Sequence, residues 1–530
     1  MSLRALACLL PVCAASGWWF LHGAPPGFPL DDAWVHLVYA RNTAAGDLFA
    51  FNPGEPAGGV TAPLWTLLCA VIEWLARLTG GAFEAADGVR ALGGLVGLGT
   101  ACAGWSLCGR AGRWPAAFAG LFLAVDPLCN FGRYSGMELP LFGLLSLLLV
   151  REVVDGHAGS AGWLAGLLVL TRPEGLLYVP FALWLLHRRG RGVAAFAAPL
   201  LLCAGAWMAW CWKVSGRPFP DTVVMKADLV FDLVGMGAAA LALLRDTGWG
   251  WALPMLVFVG LATLNGGHRG LGTLLTGGGL TMLLAVLVTR PMPLSSGDPA
   301  VVPFVAQRYA LLAWPLVVAV AATGLAAVVR TGWAGLRCRP RAALVLLSPL
   351  ALMIVCGLRF LPGHAVTLKQ RFADQVAQVD TQNVAAGRWI DSHLPADAVV
   401  ATHDAGAVTY FSRRRVLDIW GNNNVELATL FWRRDQRGLE QLVRSWRPDA
   451  LVVFPLEYAR SQAGPEWEAL QRTWADGPAL QEELRRYLDQ GADDYALGFG
   501  LTRRGAHFQV RPSVTVDSPV HEDLVVFVRP

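Results

Sequence analysis

Apolar runs separated by short polar segments fill the first 361 residues of this chain. A helix needs about 20 mostly apolar residues to cross a bilayer, and shorter neighbouring runs can merge or tilt. The candidate spans are 3–21, 88–108, 114–128, 139–153, 161–174, 175–187, 193–212, 249–264, 270–289, 309–329 and 342–361. This pattern predicts an α-helical polytopic membrane protein with about eleven transmembrane helices.

The composition agrees with a membrane protein. Of the 530 residues, 55% are hydrophobic and 15% are charged, whereas soluble domains carry about 25% charged residues. The net charge of +4 is small and scattered, which argues against nucleic-acid binding. All ten cysteines lie at or before Cys356, mostly in apolar runs and without metal-ligand spacing, so we interpret them as small buried hydrophobic residues.

The first apolar run, MSLRALACLLPVCAASGWWF, has two interpretations. Arg4 followed by an apolar stretch and small residues is typical of a signal peptide. The run continues past the small residues into Trp18 and Trp19, however, and Trp is common where a span reaches the membrane interface. We therefore expect an uncleaved first transmembrane helix.

Basic clusters between the spans predict the topology. They lie at 109–113, 187–192, 266–270 and 330–341. Cytoplasmic loops are enriched in Lys and Arg. All four clusters fall on one face if the N-terminus is cytoplasmic and the charged run 229–246 is a helix on the outer surface rather than a span. This topology places residues 22–87 and the segment after residue 361 on the outer side.

From residue 362 onward the pattern changes from apolar runs to alternating helix and strand. Amphipathic segments alternate with short Val-rich strands, as in VAAGRWIDSHLPADAVVATHDAG and LEQLVRSWRPDALVVFP. Such alternation predicts an α/β domain, and a segment of this length can bury its own core. We therefore divide the chain into a transmembrane module, 1–361, and an outer α/β domain, 362–530.

The long first outer loop, 22–87, contains two amphipathic stretches. In DDAWVHLVYARNTAAG, apolar residues recur at helical spacing from Trp34 to Val38. In PLWTLLCAVIEWLARLTGG, Glu73 and Arg77 lie four residues apart on one helix face. Both stretches predict helices that lie at the membrane surface.

Two adjacent carboxylates, Asp31 and Asp32, begin the first of these stretches. One explanation is structural, since Asp is favoured at a helix N-cap and in the first turn. The other is chemical: one carboxylate accepts a proton from a hydroxyl while its neighbour orients the acceptor or raises the first group's pKa. Two adjacent carboxylates are also suited to binding a divalent cation. His36 follows Asp32 by one helical turn, where it can hydrogen-bond Asp32 as a supporting residue.

Further polar side chains lie at or beyond the ends of predicted spans. These residues are Arg133, Tyr134, Glu138, Arg172, Glu174, Lys226, Asp298 and Arg308. Arg172 and Glu174 flank Pro173, so an ion pair that stabilises a helix break explains them equally well. Each remaining cation alone has a simpler explanation as a snorkelling anchor. Together with the acid pair, the cations predict an outer site for a phosphate-bearing lipid.

Several motifs of the chain are similar to those of one known family. The stretch DDAWVHLVYARNTAAGDLFAFNPGEPAGGVTAPLW resembles the first outer loop of bacterial GT-C membrane glycosyltransferases, the superfamily of the cell-wall arabinofuranosyltransferases and protein mannosyltransferases. RYSGMELPLF, LTRPEG, FPDTVVMK, SGD followed by RY, and THDAGAVTYFSRRRVLDIWG resemble later elements of that family, in the same order. The chain departs from the family pattern at GGV (58–60), Ala62, Asp221 and Ser296, which bears on the sugar and the acceptor more than on the reaction.

The resemblance implies a reaction, a set of site residues and a location. It implies transfer of a hexosyl or pentosyl group, with inversion, from a polyprenyl-phosphate donor to a hydroxyl of an extracytoplasmic glycan, lipid or protein. A requirement for a divalent cation stays open. Asp31 carries over as general base and Asp32 as its assistant. The implied substrate contacts are His36, Arg133, Tyr134, Glu138, Arg172, Glu174, Lys226, Arg308 and Tyr309. The implied location is the bacterial inner membrane, with the N-terminus cytoplasmic and the α/β domain periplasmic.

Other functions fit the pattern less well. A transporter or flippase is expected to have internal repeats and charges near the bilayer midplane. A polymerase or ligase for lipid-linked polysaccharide is expected to rely on basic loop residues rather than paired acids. A non-enzymatic scaffold explains the outer domain but not the acids and cations. In the outer domain, Trp420 and the asparagines 422–424 suit either glycan binding or a turn at a strand end.

Overall fold

The computed structural model describes residues 3–226, 302–335, 340–419, 421–445, 448–453, 507–508 and 524–528. Before the first gap the helices are α1 (Leu3–Leu21), α2 (Asp31–Ala44), α3 (Pro63–Leu78), α4 (Ala85–Cys108), α5 (Arg113–Val125), α6 (Pro127–Tyr134), α7 (Leu139–Asp155), α8 (Ala158–Thr171), α9 (Val179–Arg188), α10 (Val193–Ser215) and α11 (Asp221–Lys226). The later helices are α12 (Val302–Gly335), α13 (Pro340–Val379), α14 (Ala385–His393), α15 (Ala407–Ser412), α16 (Val425–Trp432) and α17 (Gln436–Ser445). The strands are β1 (Ala50–Asn52), β2 (Glu55–Pro56), β3 (Val399–Thr402), β4 (Arg415–Asp418), β5 (Ala450–Val453), β6 (His507–Phe508) and β7 (Leu524–Val528).

Long apolar helices make this a polytopic membrane protein. Within the described residues, four helices are long and apolar enough to cross a bilayer: α1, α4 with the short turn after it, α10, and the Leu311–Arg330 part of α12. A fifth candidate is the pair α5 and α6, which bends by 54° at Asp126. The predicted spans 249–264 and 270–289, and the predicted surface helix 229–246, lie outside the described residues. The membrane-protein class is confirmed, and the count of about eleven spans stays a prediction.

The bend between α5 and α6 follows from the sequence DP at its centre. Pro127 occupies the first position of α6, and the Asp126 carboxylate accepts the backbone N–H of Cys129 at 3.0 Å and the Trp314 indole N–H at 2.9 Å. Asp and Pro at these positions favour a new helix start over continuation of the old one. The predicted straight span 114–128 is therefore broken at residue 126.

The first helix is an integral part of the helix bundle. Leu9 and Phe20 of α1 are fully buried in the main hydrophobic core, and Phe20 packs edge-on against Phe372 at 5.2 Å between ring centroids. Removal of α1 by a signal peptidase would expose this surface. The packing supports the expectation of an uncleaved first helix.

The expected domain boundary lies inside a helix. Helix α13 runs without a break through residue 362. With 40 residues, it is about 60 Å long, which exceeds the thickness of a bilayer. One helix therefore connects the two parts of the chain, and their division at residue 362 stays a prediction.

The outer domain has the predicted α/β architecture. Its sheet has the strand order β4–β3–β5–β7–β6. Strand β3 pairs in parallel with β4 and β5, and β7 pairs antiparallel with β5 and β6. Parallel pairing requires crossover connections, which α15 supplies between β3 and β4. A second hydrophobic core, which includes Val400, Val416 and Val526, lies under this sheet.

The two helices of the first outer loop behave differently. Helix α2 is not an interfacial helix as predicted, because both of its faces are buried. Trp34 and Leu37 belong to the core of the helix bundle, whereas Val38 and Tyr39 belong to the core of the outer domain. The α2 helix therefore lies between the two parts of the protein.

Helix α3 does have the predicted amphipathic character. Its exposed apolar side chains are Leu67, Val71, Trp74, Leu75 and Leu78. These positions recur every three or four residues and form one stripe along the helix. A continuous exposed apolar stripe next to a membrane-spanning bundle is suited to contact with lipid.

Candidate functional site

The Asp31 carboxylate joins the first outer loop to the outer domain. Its Oδ2 accepts the backbone N–H of Gly406 and its Oδ1 accepts the backbone N–H of Ala407, each at 2.7 Å. These groups begin α15, so a side chain of the first loop caps a helix of the outer domain. Asp31 and Asp32 are both half-buried. Leu30 occupies the N-cap position of α2, so neither acid is the N-cap, but both lie in the first turn, as the structural explanation also allows.

The surroundings of Asp31 raise its proton affinity. Burial, together with the nearby Asp404 carboxylate, raises the pKa of the Asp31 carboxyl to about 8. The two backbone N–H groups lower this pKa, and the Asp32 carboxylate raises it further. The result is a carboxyl group that changes charge near neutral pH, which is a property suited to a general base.

A buried chain of polar side chains connects α2 to the ends of α7 and α8. His36 Nε2 lies 3.2 Å from the Glu138 carboxylate, and His36 Nδ1 lies 3.5 Å from the Thr66 hydroxyl. Arg172 donates to the other oxygen of Glu138. Arg172 also binds Glu174 with two hydrogen bonds of 2.7 and 3.2 Å. The sequence pattern predicts the Arg172–Glu174 pair, but it does not predict that Glu138 and His36 extend the pair into a network.

Charges within this network stabilise one another. Burial alone would raise the pKa of the Glu138 carboxyl, but Arg172 and His36 hold that pKa below its usual range, so Glu138 stays ionised. Glu138 lies directly before α7, and Arg172 lies directly after α8. The network therefore fixes the outer ends of these helices against α2, which carries Asp31 and Asp32. The predicted hydrogen bond from His36 to Asp32 is replaced by bonds to Glu138 and Thr66.

Arg133 and Tyr134 have partners inside the helix bundle. The buried Arg133 guanidinium donates to the carbonyls of Leu123 and Ala124 and to the side chain of Asn130, which closes the bend between α5 and α6. The Tyr134 ring stacks on Phe20 with 6.3 Å between centroids. These contacts give both side chains a structural role, and their predicted contact with substrate stays a prediction.

Asp221, which departs from the family pattern, is fully buried in its own polar cluster. Its carboxylate accepts hydrogen bonds from Ser215 at 2.9 Å and from Arg217. Its backbone N–H donates to the Gly58 carbonyl at 2.8 Å, and Arg217 also donates to Thr429 of the outer domain at 3.0 Å. The cluster joins three segments that are distant in sequence, and sequence analysis missed Arg217. The side chains of Lys226, Arg308 and Tyr309, and the whole of Asp298, lie outside the described part of the chain.

Further hydrogen bonds connect the first loop to the outer domain. The Asn52 side chain exchanges two hydrogen bonds, of 2.9 and 3.0 Å, with the backbone of Val416 on the edge strand β4. The Tyr410 hydroxyl donates to Glu73 at 2.8 Å, so Glu73 binds the outer domain. The partners in these contacts lie hundreds of residues apart in sequence, so no local sequence pattern predicts them.

The asparagines that follow β4 form a turn. Asn424 caps α16 by accepting the backbone N–H of Leu427 at 3.1 Å. Asn423 donates to Asp418 at 2.8 Å and accepts the Tyr39 hydroxyl at 2.8 Å. These bonds favour the turn over a glycan-binding role for the asparagines. Trp420 lies outside the described residues.

Solved structures share this architecture over nearly the whole chain. ArnT from Cupriavidus metallidurans bound to undecaprenyl phosphate matches with a TM-score of 0.55 and 13% identity, covering 99% of this chain and 98% of ArnT. The Archaeoglobus fulgidus oligosaccharyltransferase in complex with Zn and sulfate matches with a TM-score of 0.52 and 12% identity, covering 95% of this chain and 72% of that protein. The same organism's AglB, in complex with an inhibitory peptide and a dolichol-phosphate, matches with a TM-score of 0.50 and 11% identity, covering 98% and 76%.

Sequence comparison adds one domain match. Residues 372–497 match the family model described as a domain of unknown function, DUF8728. No curated protein matches the chain in sequence. The domain match begins near the C-terminal end of α13 and ends before β6 and β7, so it covers part of the outer domain and none of the helices before α13. On the structural comparisons, the chain has the fold of the GT-C superfamily of membrane glycosyltransferases.

Proposed function

We propose that this protein is an inverting glycosyltransferase. It moves a hexosyl or pentosyl group from a polyprenyl-phosphate donor to a hydroxyl of an extracytoplasmic glycan, lipid or protein. Asp31 acts as the general base, and Asp32 assists it. We further propose a bacterial inner-membrane location, with a cytoplasmic N-terminus and a periplasmic outer domain.

The position of Asp31 carries the proposal. Its carboxylate lies where the first turn of α2 meets the outer domain, at the junction of the membrane module and the α/β sheet. A lipid-linked donor reaches this junction from the bilayer, and a water-soluble or membrane-bound acceptor reaches it from outside. The fold supports the same proposal, since solved structures of this fold have undecaprenyl phosphate or dolichol-phosphate bound.

The chemistry requires one proton transfer and a charge-stabilised leaving group. The acceptor hydroxyl attacks the anomeric carbon, the bond from that carbon to the phosphate oxygen breaks, and Asp31 takes the hydroxyl proton. The lipid phosphate leaves as an anion, so cations rather than an acid assist its departure. Attack opposite the leaving phosphate inverts the anomeric carbon.

The network residues fit a supporting role better than phosphate binding. Arg172 already binds two carboxylates, those of Glu138 and Glu174, which neutralise its charge. We therefore assign Arg172, Glu138 and His36 to holding α2 in place. Lys226 and Arg308 remain the proposed cations for the phosphate.

Each Asp31 oxygen accepts one backbone N–H group, which leaves a lone pair on each oxygen for the proton of the acceptor hydroxyl. The same lone pairs suit a divalent cation, but the proposed reaction does not need one, because cationic side chains stabilise the departing lipid phosphate. A second group of metal-ligand side chains, Glu152, Asp155 and His157, lies at the junction of α7 and α8, and its Asp155 is paired with Arg110.

Binding of the lipid phosphate tests the proposal directly. Undecaprenyl phosphate added to the purified full chain is expected to raise its melting temperature by at least about 3 °C, because a ligand that binds only the folded state stabilises it. Undecaprenol, which lacks the phosphate, serves as the matched control and is expected to have a smaller effect. Equal shifts with both lipids, together with no sugar transfer from a synthetic polyprenyl-phosphate sugar, would refute the proposal.

The raised pKa of Asp31 predicts the pH dependence of transfer. A base must be unprotonated, so kcat/KM is expected to rise as the pH increases through about 8 and to level off above it. An Asp with an ordinary pKa near 4 would give a flat profile over this range. Asp404→Asn removes the negative charge that raises this pKa, so the rise is expected to move to lower pH. A pH profile that is identical in wild type and Asp404→Asn would contradict the assignment of Asp31 as base.

A further inference from the structure

A groove opens between the start of α5 and the second half of α12. It has a volume of about 490 Å³, which is within the range of small-molecule sites. The lining residues are Ala111, Gly112, Arg113, Trp114, Pro115, Ala322, Leu325, Ala326, Val329 and Arg330. The floor is therefore apolar, and two arginines lie at its rim.

The groove lies at the end of the protein away from the outer domain. Helix α13 begins at Pro340, just after the Arg330 end of α12, and its other end enters the outer domain about 60 Å away. The predicted basic clusters 109–113 and 330–341 thus meet at one end of the bundle, as expected if both mark the cytoplasmic face. The groove is distinct from the Asp31 site.

The rim of the groove has the chemistry of a membrane interface. Trp114 is 74% exposed, and the Arg113 guanidinium lies over its ring at 5.3 Å from the centroid. Arg330 is exposed and donates through Nε to the Ala326 carbonyl at 3.2 Å, which holds its guanidinium at the edge of the groove. Exposed Trp is typical of the level of the lipid headgroups, and Arg is the side chain best suited to binding a phosphate diester.

We propose that this groove binds an anionic phospholipid of the cytoplasmic leaflet. The headgroup phosphate lies between Arg113 and Arg330, and an acyl chain lies along Ala322, Leu325 and Ala326. The lining residues include two cations and no carboxylate, so their charge complements an anionic headgroup. An apolar floor gives a free phosphate nothing to bind, which favours the lipid over the ion. The inference does not depend on the proposed transfer reaction.

Native mass spectrometry of the full chain in detergent tests this site. Phosphatidylglycerol is expected to bind more tightly than phosphatidylcholine with the same acyl chains. The Arg113→Ala/Arg330→Ala variant is expected to lose about 25-fold in phosphatidylglycerol affinity, since each basic residue near a lipid surface contributes about fivefold. The Arg113→Lys/Arg330→Lys variant retains both charges but not the planar guanidinium groups, so it is expected to lose less affinity than the double alanine variant.

Arg188→Ala is the matched control. Arg188 is also an exposed arginine in a predicted cytoplasmic cluster, and it also lies over a tryptophan, Trp184, at 4.6 Å. This variant is expected to bind phosphatidylglycerol as wild type does. Equal loss in Arg188→Ala, unchanged binding in the Arg113→Ala/Arg330→Ala variant, or equally tight binding of glycerol phosphate alone would each overturn the proposal.

Discussion

Replacement of Asp31 by Asn is expected to reduce sugar transfer by about 10²- to 10⁴-fold, the usual contribution of a general base. Asn has nearly the same shape as Asp, but it cannot take the proton of the acceptor hydroxyl. The measurement is initial-rate transfer from a synthetic polyprenyl-phosphate sugar in membranes that contain equal amounts of each variant. Near-normal transfer by Asp31→Asn would show that Asp31 is not the base.

Asp31 also has a structural role, which must be separated from its chemical one. The carboxylate accepts two N–H groups of the outer domain, and Asn can accept only one of them. One buried N–H left without an acceptor costs about 1–3 kcal/mol. The melting temperature of each purified variant therefore has to accompany its rate, because loss of folded protein would also reduce transfer.

Gly406→Ala tests the position of Asp31 without changing its charge. A methyl group at Gly406 would collide with the backbone carbonyl and the carboxylate of Asp31. The backbone of Gly406, at φ −90° and ψ −87°, lies just outside the right-handed helical region, so the steric collision adds to a backbone conformation that Ala adopts less readily. We expect lower transfer and a shifted pH profile, because the carboxylate moves away from the N–H groups that help to set its pKa.

Asp47→Asn is the control from the same loop. Within the described part of the chain, its carboxylate accepts one hydrogen bond, from the N–H of Gly54 at 3.2 Å in the turn before β2. Transfer by this variant is expected to equal that of wild type. A comparable loss in Asp47→Asn and Asp31→Asn would mean that any change in the first loop impairs the protein, and the base assignment would then fail.

Local sequence patterns predicted those features of the fold that depend on residues close together in sequence. Apolar runs of membrane length gave α1 its bounds, and alternation of helix and strand gave the α/β domain, because both depend on side chains close together in sequence. The sequence singles out Asp31 as a candidate site residue because two adjacent acids at the start of a surface loop are unusual, and its catalytic role stays a prediction. The capping of α15 by the two Asp31 oxygens was not predicted, because Gly406 and Ala407 lie about 375 residues away.

The errors arose where tertiary packing decides the environment. Helix α2 has too few apolar residues to look like a core helix, yet it is buried because two different cores use its opposite faces. The expected boundary at residue 362 falls inside α13, because the amphipathic segment after the span continues the same helix instead of beginning a new one. The DP sequence locates the bend between α5 and α6, but it does not show that Arg133 binds the carbonyls freed there; the predicted contact of Arg133 with substrate stays a prediction.

Replacement of Arg172 by Met is expected to destabilise the protein by about 3–5 kcal/mol, because it leaves the buried Glu138 carboxylate without its main partner. Glu138 is 1% exposed. The Arg172 side chain is 13% exposed. The pair between Arg110 and Asp155 is the matched control, since its side chains are 35% and 29% exposed. Arg110→Met is expected to cost at most about 1 kcal/mol. Thermal unfolding in detergent measures both variants.

The double variant Glu138→Gln/Arg172→Met distinguishes a supporting role of these two residues from direct participation in catalysis. It removes the two most buried charges and leaves only Glu174, whose side chain is 25% exposed, without its ion partner, so we expect most of the lost stability to return. If the network only holds α2 in place, sugar transfer should recover with stability. A double variant that is stable but still inactive would contradict the supporting role and would place Arg172 or Glu138 in contact with the substrate. Because His36 keeps Thr66 and gains a neutral amide partner, α2 retains its connection to α7 in this variant.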